Sequence, residues 1–548
     1  MTMPGCSMPA ANYYLTNLEH LLGWVEAHHG HLIDDSTRCF MARFRRLPLA
    51  ARRLYVRLMM RRGPLFRIDR LSYPEVGPAW PAVLALCLGG LGALSGPAAW
   101  RERIGLLRQE ELAERLADRR PRSWIRQARR PQRLQACLQH GPESGPPLPE
   151  ALRLLGVEEL ELLRLLYFGN GRQGLVAFIL ADLGVLRFEQ VTLMPSLPWR
   201  SPAEVRRDLA CLRAADALAT HCDRRAGSAD ATELLAVEGV LAEAAVAAPT
   251  EARRNRALSR LADAWRRLGR DERALAVLEH ASGPPAREAR CRLLARLGKT
   301  KAAAMAQQQL AQDPGSDGEA DFSARFDPLT ARCRARVRNG ALPRRRMTLP
   351  RMDPEQRIEQ VVMGILAHGG GRALHVENGL IGLLVGLAFW DVIFDPLPGA
   401  FVQPFQSGPL DLFDPGFRRR RAAAISRRLQ EVATGTITTE DLIAVWENRH
   451  GTVNALVPWF RFTTADVRGM LVVLPPATRA WLCDTALRAP ALLRRGFPDL
   501  LVLGDAPRCF TFMEVKGPGD VLRPEQRRWM EALVAARMPA HVLEVRWA

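Results

Sequence analysis

The chain begins with apolar residues spaced three and four apart, which is the pattern of a helix with one buried face. Leu15, Leu18, Leu21, Leu22 and Val25 follow this spacing within one segment. Further amphipathic segments recur up to about residue 320, and short polar or Arg-rich turns separate them. The pattern predicts a mainly α protein over most of its length.

The stretch from residue 200 to about 320 is rich in Ala and Leu and contains an internal repeat. Leu268-Gly269-Arg270 recurs 29 residues later as Leu297-Gly298-Lys299, and Ala274 and Ala303 keep the same step. Small residues at such positions let neighbouring helices approach closely. The repeat predicts tetratricopeptide-like helical hairpins that act as a scaffold or a partner surface. The segment "RNGALPRRRMTLPRMDP" that follows is predicted to be a linker.

Near the C terminus the period of apolar positions changes to two. The segments DLLVL (499–503) and RCFTFMEVK (508–516) are predicted strands, and Gly504 to Pro507 form the turn between them. The two strands therefore predict a β-hairpin.

The predicted hairpin gathers charged side chains on one face. If Leu503 pairs with Arg508, Asp499 lies diagonally across from Glu514. Because side chains alternate along a strand, Asp499, Glu514 and Lys516 then share a face. A slip of one residue in the register would move Asp499 to the opposite face.

Two neighbouring carboxylates raise each other's pKa unless a cation joins them. A hard divalent ion such as Mg²⁺ or Mn²⁺ suits oxygen ligands, and it can polarise a phosphoryl oxygen and activate a bound water. Lys516 would orient or deprotonate that water, and the carbonyl of Val515 would complete the coordination. The alternative is a salt-bridge cluster of Asp499, Glu514 and Lys516 with no chemistry.

The composition and the net charge indicate that the ligand of this predicted metal site is a polyanion. The chain has 48% apolar and 25% charged residues, as in a soluble globular protein, but a formal net charge of +19 and a pI of about 10.5. Such a charge indicates nucleic acid before membrane, although Arg used for solubility would give it too. Only three lysines occur, Lys299, Lys301 and Lys516, so the one in the hairpin is isolated among arginines.

Clusters of arginine are the candidates for contacts to DNA phosphates, which they would neutralise without reading sequence. A solvated basic face is the alternative for each cluster. The candidate DNA-binding residues are Arg52, Arg53, Arg57, Arg61, Arg62, Arg122, Arg126, Arg129, Arg130, Arg418, Arg419 and Arg420.

Other features indicate neither a membrane span nor a Cys/His metal site. The uncharged run Pro78 to Ala99 contains Gly and Pro and favours a buried element over a membrane helix. The ten cysteines include no C-x-x-C pair, which is typical of reduced thiols in a cytosolic protein. The "HHGH" at residues 28–31 is predicted to lie at the surface. We expect a cytoplasmic protein with no membrane partner.

The hairpin residues also carry a resemblance to a known family. "FPD", then fourteen residues, then "EVK" resembles the PD-(D/E)xK nuclease signature, and "GFPDLLVL" with "FMEVKGPGDVLRPEQRRWM" resembles the VRR-NUC domain. Upstream, "ALHVENGLIGLLVGLAFW" and "WENRHGTVNALVPWFRF" resemble the Fanconi-associated nuclease family, as does "LYVRLMMRRGPLFRIDRLSYPEV" near the N terminus.

This resemblance implies a multidomain, mainly α fold that ends in an α/β nuclease domain of the restriction-endonuclease-like type. The implied regions are an N-terminal helical basic DNA-binding region (1–75), a SAP-like DNA-binding region (76–195), tetratricopeptide-like repeats (196–340) and the nuclease domain (341–548, with the VRR-NUC core at about 430–548).

The resemblance also implies roles for single residues. The implied catalytic residues are Asp499, Glu514, Lys516, Glu377 and Gln526, and the implied metal ligands are Glu377, Asp499, Glu514 and the carbonyl of Val515. From the sequence alone, Glu377 could equally be a charge at a helix N terminus, and Gln526 a residue of a helix surface. His375 is more typical of a packed histidine than of a ligand.

The family resemblance implies a hydrolase that cleaves DNA phosphodiesters with Mg²⁺ or Mn²⁺, two ions per site. Its implied substrates are 5′ flaps and related branched DNA, cut endonucleolytically and from 5′ to 3′, in interstrand cross-link repair. We expect a bacterial, nucleoid-associated protein, or a nuclear one if eukaryotic, without a ubiquitin-binding finger. Glu525 puts a family-type 5′-phosphate pocket in doubt. The rivals are a non-catalytic DNA-binding scaffold with a vestigial site, and an enzyme acting on RNA or a nucleotide.

Overall fold

The structure is a computed structural model of the chain. It describes residues 13–61, 63, 65–96, 99–142, 145–171, 186–194, 196–223, 231–243, 246–333, 342–349, 356–369, 371–414, 416–489, 493, 495–504 and 509–548. The chain divides into two compact units, Met1–Val185 with Leu197–Leu212, and Leu186–Ser196 with Arg213–Ala548.

The first unit is mainly helical and contains a small antiparallel sheet in the order β1-β3-β2. Its helices are α1 (Tyr13–His29), α2 (Asp35–Arg46), α3 (Leu49–Met59), α4 (Ala79–Leu88), α5 (Trp100–Gly105), α6 (Gln109–Arg115), α7 (Arg122–Gln127), α8 (Arg130–His140) and α9 (Val157–Phe168). Its strands are β1 (Leu65–Arg67), β2 (Gly92–Leu94) and β3 (Ala151–Leu154). Helix α10 (Pro202–Asp223) has residues in both units.

Helix α1 confirms the apolar spacing, because all five residues that predict it are buried. The surface prediction for the histidines at residues 28–31 is wrong at one position. His28 is exposed and stacks on Trp24, but His29 is only 2% exposed. It ends α1 on the buried face, four residues after Val25, so the helical period overrides its polarity.

No helix in the described part of the chain is long and apolar enough to cross a membrane. The uncharged run from Pro78 forms α4 and β2 instead.

The second unit begins with paired helices and ends in an α/β domain. Its helices are α11 (Ala231–Ala242), α12 (Ala248–Arg267), α13 (Asp271–Glu279), α14 (Ala286–Arg296), α15 (Thr300–Gln312), α16 (Asp317–Arg325), α17 (Ile358–His368), α18 (Leu380–Ala388), α19 (Trp390–Ile393), α20 (Gly416–Arg420), α21 (Ala422–Thr434), α22 (Thr439–Asn448), α23 (Thr464–Val473), α24 (Pro476–Arg488) and α25 (Pro524–Ala535). Its strands are β4 (Phe326–Asp327), β5 (Arg332–Cys333), β6 (Arg344–Leu349), β7 (Arg372–His375), β8 (Leu500–Leu503), β9 (Phe510–Lys516) and β10 (Ala540–Trp547).

The predicted repeat forms two helical hairpins, α12–α13 and α14–α15. Gly269 and Gly298 end the first helix of each pair with φ of 71° and 73°, a conformation that glycine adopts without strain. Ala274 and Ala303 are fully buried where the second helix packs on the first.

A five-stranded sheet in the order β6-β10-β9-β8-β7 forms the centre of the C-terminal domain. Strand β10 is parallel to both β6 and β9, whereas β8 is antiparallel to both β9 and β7. The linker prediction is therefore wrong at residues 344–349, which form the edge strand β6. An edge strand exposes much of its side-chain surface and can therefore carry consecutive arginines. For this reason the three arginines of β6 did not indicate a strand in the sequence.

The predicted hairpin exists, but its register is wrong by two residues. Leu503 pairs with Phe510 rather than with Arg508, which lies outside the described residues. The N–H of Gly504 donates to the carbonyl of Cys509 (2.8 Å), so Gly504 extends the strand pair instead of opening the turn. Because side chains alternate with a period of two, a register shift of two residues leaves each side chain on its predicted face of the sheet. The shift places Asp499 directly opposite Glu514 instead of diagonally across from it.

Helix α18 is buried along its whole length beside this sheet. Gly382 and Gly386 allow it to lie against the segment at residues 456–457, since a Cβ at either position would meet Leu456 or Val457 at 2.3 Å. This packing fixes both the turn before α18 and the chain that follows Val457.

Candidate active site

The ends of three strands meet at one edge of the sheet. His375 is the last residue of β7 and pairs with Leu500 at the start of β8, while Leu500 pairs with Met513 near the end of β9. Asp499 and Glu514 therefore lie side by side at this edge. Glu377 follows two residues after β7, in the turn before α18.

Backbone groups hold Asp499 in place from two sides. Its carbonyl accepts from the N–H of Val376 (2.8 Å) and of Glu377 (3.3 Å). Its Oδ2 accepts from the N–H of Val515 (2.8 Å), and the residue is 5% exposed. The side chain of Val515 is buried in the apolar cluster on the opposite face, as strand alternation predicts. The carboxylate of Asp499 is thus fixed before any ligand binds.

Glu514 is fully buried beside Lys516. The Lys516 Nζ lies 2.9 Å from Glu514 Oε1 as an ion pair, while Oε2 of Glu514 has no hydrogen-bond partner within the described structure. Lys516 Nζ also donates to Gln526 Oε1 (3.1 Å), which accepts from the N–H of Arg523 as well (3.0 Å). Gln526 is 7% exposed, so it is not a residue of the helix surface.

The two central carboxyls resist ionisation in this setting. Burial raises the pKa of Asp499, and the charge of Glu377 raises it further. Burial also raises the pKa of Glu514, and the charge of Asp499 adds to the effect, while Lys516 opposes it. A cation between these groups would stabilise both charged forms.

The donor set suits a divalent cation. His375, Glu377 and Asp499 each offer a ligand atom, and these atoms all lie within 4.8 Å of one another. The unpartnered Oε2 of Glu514 adds a buried acceptor that a cation would satisfy. Carboxylate oxygens favour Mg²⁺ or Mn²⁺. Every residue predicted as a side-chain ligand lies at this edge.

Three neighbours of the site were not assigned to it from the sequence. His375, predicted as a packed histidine, is half-buried, and its Nε2 lies 3.9 Å from Glu377. Arg461 places Nη2 at 3.1 Å from Nδ1 of His375, and burial together with that charge lowers the pKa of His375. Glu359, in the first turn of α17, raises the pKa of Asp499 by its charge. In the sequence, Arg461 belongs to the segment "WFRF", which resembles the family but does not assign this arginine to the site. No pattern around Glu359 indicates a role near Asp499.

Several arginines proposed for DNA instead have partners within the protein. Arg52 pairs with Glu19, Arg57 pairs with Glu75, and Arg53 donates to the carbonyl of Glu75 (2.7 Å). These three residues are half-buried and contribute to the fold of the first unit. Arg61 donates to the hydroxyl of Tyr73 (3.3 Å), and Arg62 lies outside the described residues.

The remaining clusters divide in the same way. Arg418 pairs with Asp484, Arg420 pairs with Asp411, and Arg130 donates to the carbonyl of Gly105. Four of the proposed arginines are exposed and have neither an ion pair nor a side-chain hydrogen bond to a described residue: Arg122, Arg126, Arg129 and Arg419.

Comparisons with known proteins give consistent matches. A sequence profile described as VRR-NUC domain matches residues 423–547, and one described as FAN1, HTH domain matches residues 12–91. The chain is 32% identical to the Fanconi-associated nuclease 1 homolog of Pseudomonas aeruginosa, covering 99% of this chain and 97% of that protein. It is 26% identical to the homolog of Oryza sativa subsp. japonica, with 98% and 63% covered. A crystal structure of paFAN1 bound to 2nt 5′flap DNA with gap has a TM-score of 0.82 at 30% identity, with 99% of each chain covered.

Proposed function

The chain belongs to the Fanconi-associated nuclease family and is a DNA-cleaving hydrolase, and we propose that it is a structure-selective, divalent-metal-dependent nuclease that cuts 5′ flaps and related branched DNA. One observation carries the metal dependence. Asp499 and Glu514 lie side by side, where burial raises the pKa of both carboxyls, and Oε2 of Glu514 has no hydrogen-bond partner within the described structure.

The proposed ligands are Glu377, Asp499, Glu514 and the carbonyl of Val515, with His375 as an added candidate. A bound Mg²⁺ or Mn²⁺ would polarise the phosphodiester and lower the pKa of a water. The chain's own residues would set the geometry, since the Val515 N–H orients Asp499.

Lys516 is the proposed catalytic cation. Glu514 and Gln526 hold its ammonium from two sides, so it points along the same edge as the carboxylates. There it would stabilise negative charge that develops on the phosphate and would orient the attacking water. Gln526 is proposed as a positioning residue, because it contacts Lys516 rather than a carboxylate.

The choice of branched DNA is supported by the solved relative, whose bound ligand is a 5′-flap DNA. The exposed arginines would contact phosphates, which favours recognition of DNA shape over base sequence. We extend the proposal to 5′ to 3′ cutting and to the repair of interstrand cross-links, which the family resemblance implies.

A gel assay tests the proposal. Labelled 5′-flap, 3′-flap and linear duplex DNA, and an RNA of the flap sequence, are incubated with Mg²⁺, Mn²⁺ or a chelator. We expect cutting of the 5′ flap with either ion, slower cutting of linear duplex, and none with the chelator. Binding without cutting under every condition would favour the scaffold alternative, and preferred cutting of RNA would favour the other rival.

A further inference from the structure

An open cavity of about 570 Å³ lies beside Lys516. It forms because β10 is longer than its neighbour: Glu544 pairs with Lys516 at the end of β9, and β10 continues to Trp547. After Lys516 the chain leaves the sheet in a turn, in which the N–H of Asp520 donates to the carbonyl of Gly517 (3.1 Å) and its carboxylate accepts from the Gly517 N–H (3.2 Å). The turn and the uncovered edge of β10 bound the cavity.

The lining of the cavity has an excess of positive charge. Its four cationic side chains outnumber two acidic ones, and Glu544 is already paired with Arg344 and lies 3.5 Å from Arg346. Arg527 and Arg546 make no ion pair with any described residue. The charged lining residues are Lys516, Arg344, Arg527, Arg546, Asp520 and Glu544.

An aromatic side chain completes the lining. Trp547 is 38% exposed at the end of β10 and borders the same cavity. Guanidinium groups bind phosphate, and an indole ring offers a surface on which a nucleobase can stack. A cavity of this volume is in the range of sites that bind small molecules. The combination matches one nucleotide better than a metal ion or an apolar ligand.

We infer that this cavity binds one nucleotide of the cleaved strand next to the scissile phosphate, with Arg527 and Arg546 on its phosphate and Trp547 against its base. Lys516 connects the two places, because it lines the cavity and pairs with Glu514. The inference rests on the proposed nuclease function. Glu525 marks the position at which the family resemblance would place a 5′-phosphate pocket. It does not line the cavity, so the proposed subsite is separate from that position.

The base contact is tested with a series of 5′-flap DNA substrates. Each substrate carries one abasic site, placed one, two or three nucleotides from the cut on either side. Affinity is measured by fluorescence anisotropy in Ca²⁺ buffer, and cutting separately by gel. We expect one abasic position to weaken binding about 5- to 100-fold, the effect of losing one stacked base. Trp547→Ala should weaken binding of intact DNA similarly and show no further loss at that position, whereas Trp547→Phe should bind as the wild type does.

The phosphate contacts are tested by the salt dependence of binding. Arg527→Ala and Arg546→Ala should each reduce the slope of log affinity against log salt by about 0.7 to 0.9. Arg345→Ala is the matched control, since Arg345 is exposed on β6 and does not line the cavity. Melting curves check that each variant folds.

Two results would overturn the inference: an equal effect of Trp547→Ala at every abasic position, or arginine variants that match Arg345→Ala. A wild-type protein that shows the position-dependent binding but never cuts would refute the proposed function and leave the subsite standing.

Discussion

Hydrogen bonds from the surrounding backbone fix the position and the orientation of Asp499. Three backbone N–H groups hold it, and alternation along β9 places Glu514 and Lys516 beside it. We predict that Asp499→Asn keeps flap binding and slows cutting by about 10³-fold or more, because a ligand worth several kcal/mol in the transition state is lost. Single-turnover cleavage and anisotropy measure the two effects.

The control for this substitution is Glu440→Gln, an exposed carboxylate in α22. It should cut at the wild-type rate. Continued cutting by Asp499→Asn would mean that the metal site has been misplaced.

Lys516 is the one lysine of the site in a chain that otherwise relies on arginine. We predict that Lys516→Ala slows cutting by about 10²- to 10⁴-fold, the usual effect of removing a positioned acid–base group. Lys516→Arg should not rescue the rate, because a guanidinium stays charged and is too large for the place between Glu514 and Gln526. Rate profiles against pH measure this, and full activity of Lys516→Arg would contradict the role.

The raised carboxyl pKa values predict a pH-dependent stability in the absence of metal. Burial raises the pKa of Asp499 to about 7 and that of Glu514 to about 8, so the folded state holds protons that the unfolded chain has lost. The free energy of unfolding should therefore fall as pH rises from about 4 to about 8.

Urea denaturation with chelator across this range measures the effect, and Asp499→Asn should flatten it. Saturating Mn²⁺ should also reduce the fall in the wild type. A stability that rises with pH over the same interval would contradict the account.

Residue identities at the site were predictable where strand period decides them, and not where distant segments meet. Asp499, Glu514 and Lys516 follow from alternation within one hairpin. The contact of Arg461 with His375 joins residues far apart in the chain, and no periodicity encodes it.

At the scale of elements, the spacing of apolar residues predicted which segments form helices or strands. It was least informative about where those elements begin and end. The hairpin was predictable, but its register was not, because Gly504 belongs to the strand pair although glycine is typical of turns. Strand β6 was missed because three consecutive arginines gave it no alternating pattern.

Close helix packing provides a prediction at this scale. Gly382→Ala should destabilise the C-terminal domain by about 1 to 3 kcal/mol, because the new methyl group would meet the backbone oxygen of Leu456 at 2.3 Å. Cutting should slow as well, since the displaced segment leads to Arg461. Thermal melting and the cleavage assay measure the two effects.

Gly364→Ala in α17 is the matched control. Nothing lies within 4 Å of the added Cβ, so the substitution should stabilise by about 0.5 to 1 kcal/mol. Equal melting temperatures for the two variants would contradict the packing argument.

At the scale of the whole molecule, the net charge of +19 predicted a polyanionic partner, but it did not show which arginines are available. That depends on ion pairs with acidic residues elsewhere in the chain, such as Glu19 and Glu75. The order of the regions followed from the resemblance, while the boundaries at 75, 195 and 340 stay predictions.

Salt dependence distinguishes the two kinds of arginine. We predict that Arg122→Ala with Arg126→Ala reduces the slope of log affinity against log salt by about 1 to 2, since both side chains are exposed and unpaired among described residues. Arg52→Ala with Arg57→Ala should leave the slope unchanged and lower the melting temperature. Anisotropy titrations at several salt concentrations measure this, and the reverse pattern would contradict it.

The central claim is that Asp499, Glu514 and Glu377 hold a divalent cation at the edge of the sheet. Anomalous diffraction from crystals grown with Mn²⁺ tests it most directly. We predict an anomalous peak between these three carboxylates in the wild type and its loss in Asp499→Asn. A protein that cuts DNA in Mn²⁺ while its crystals hold the ion elsewhere, or hold none, would contradict the claim.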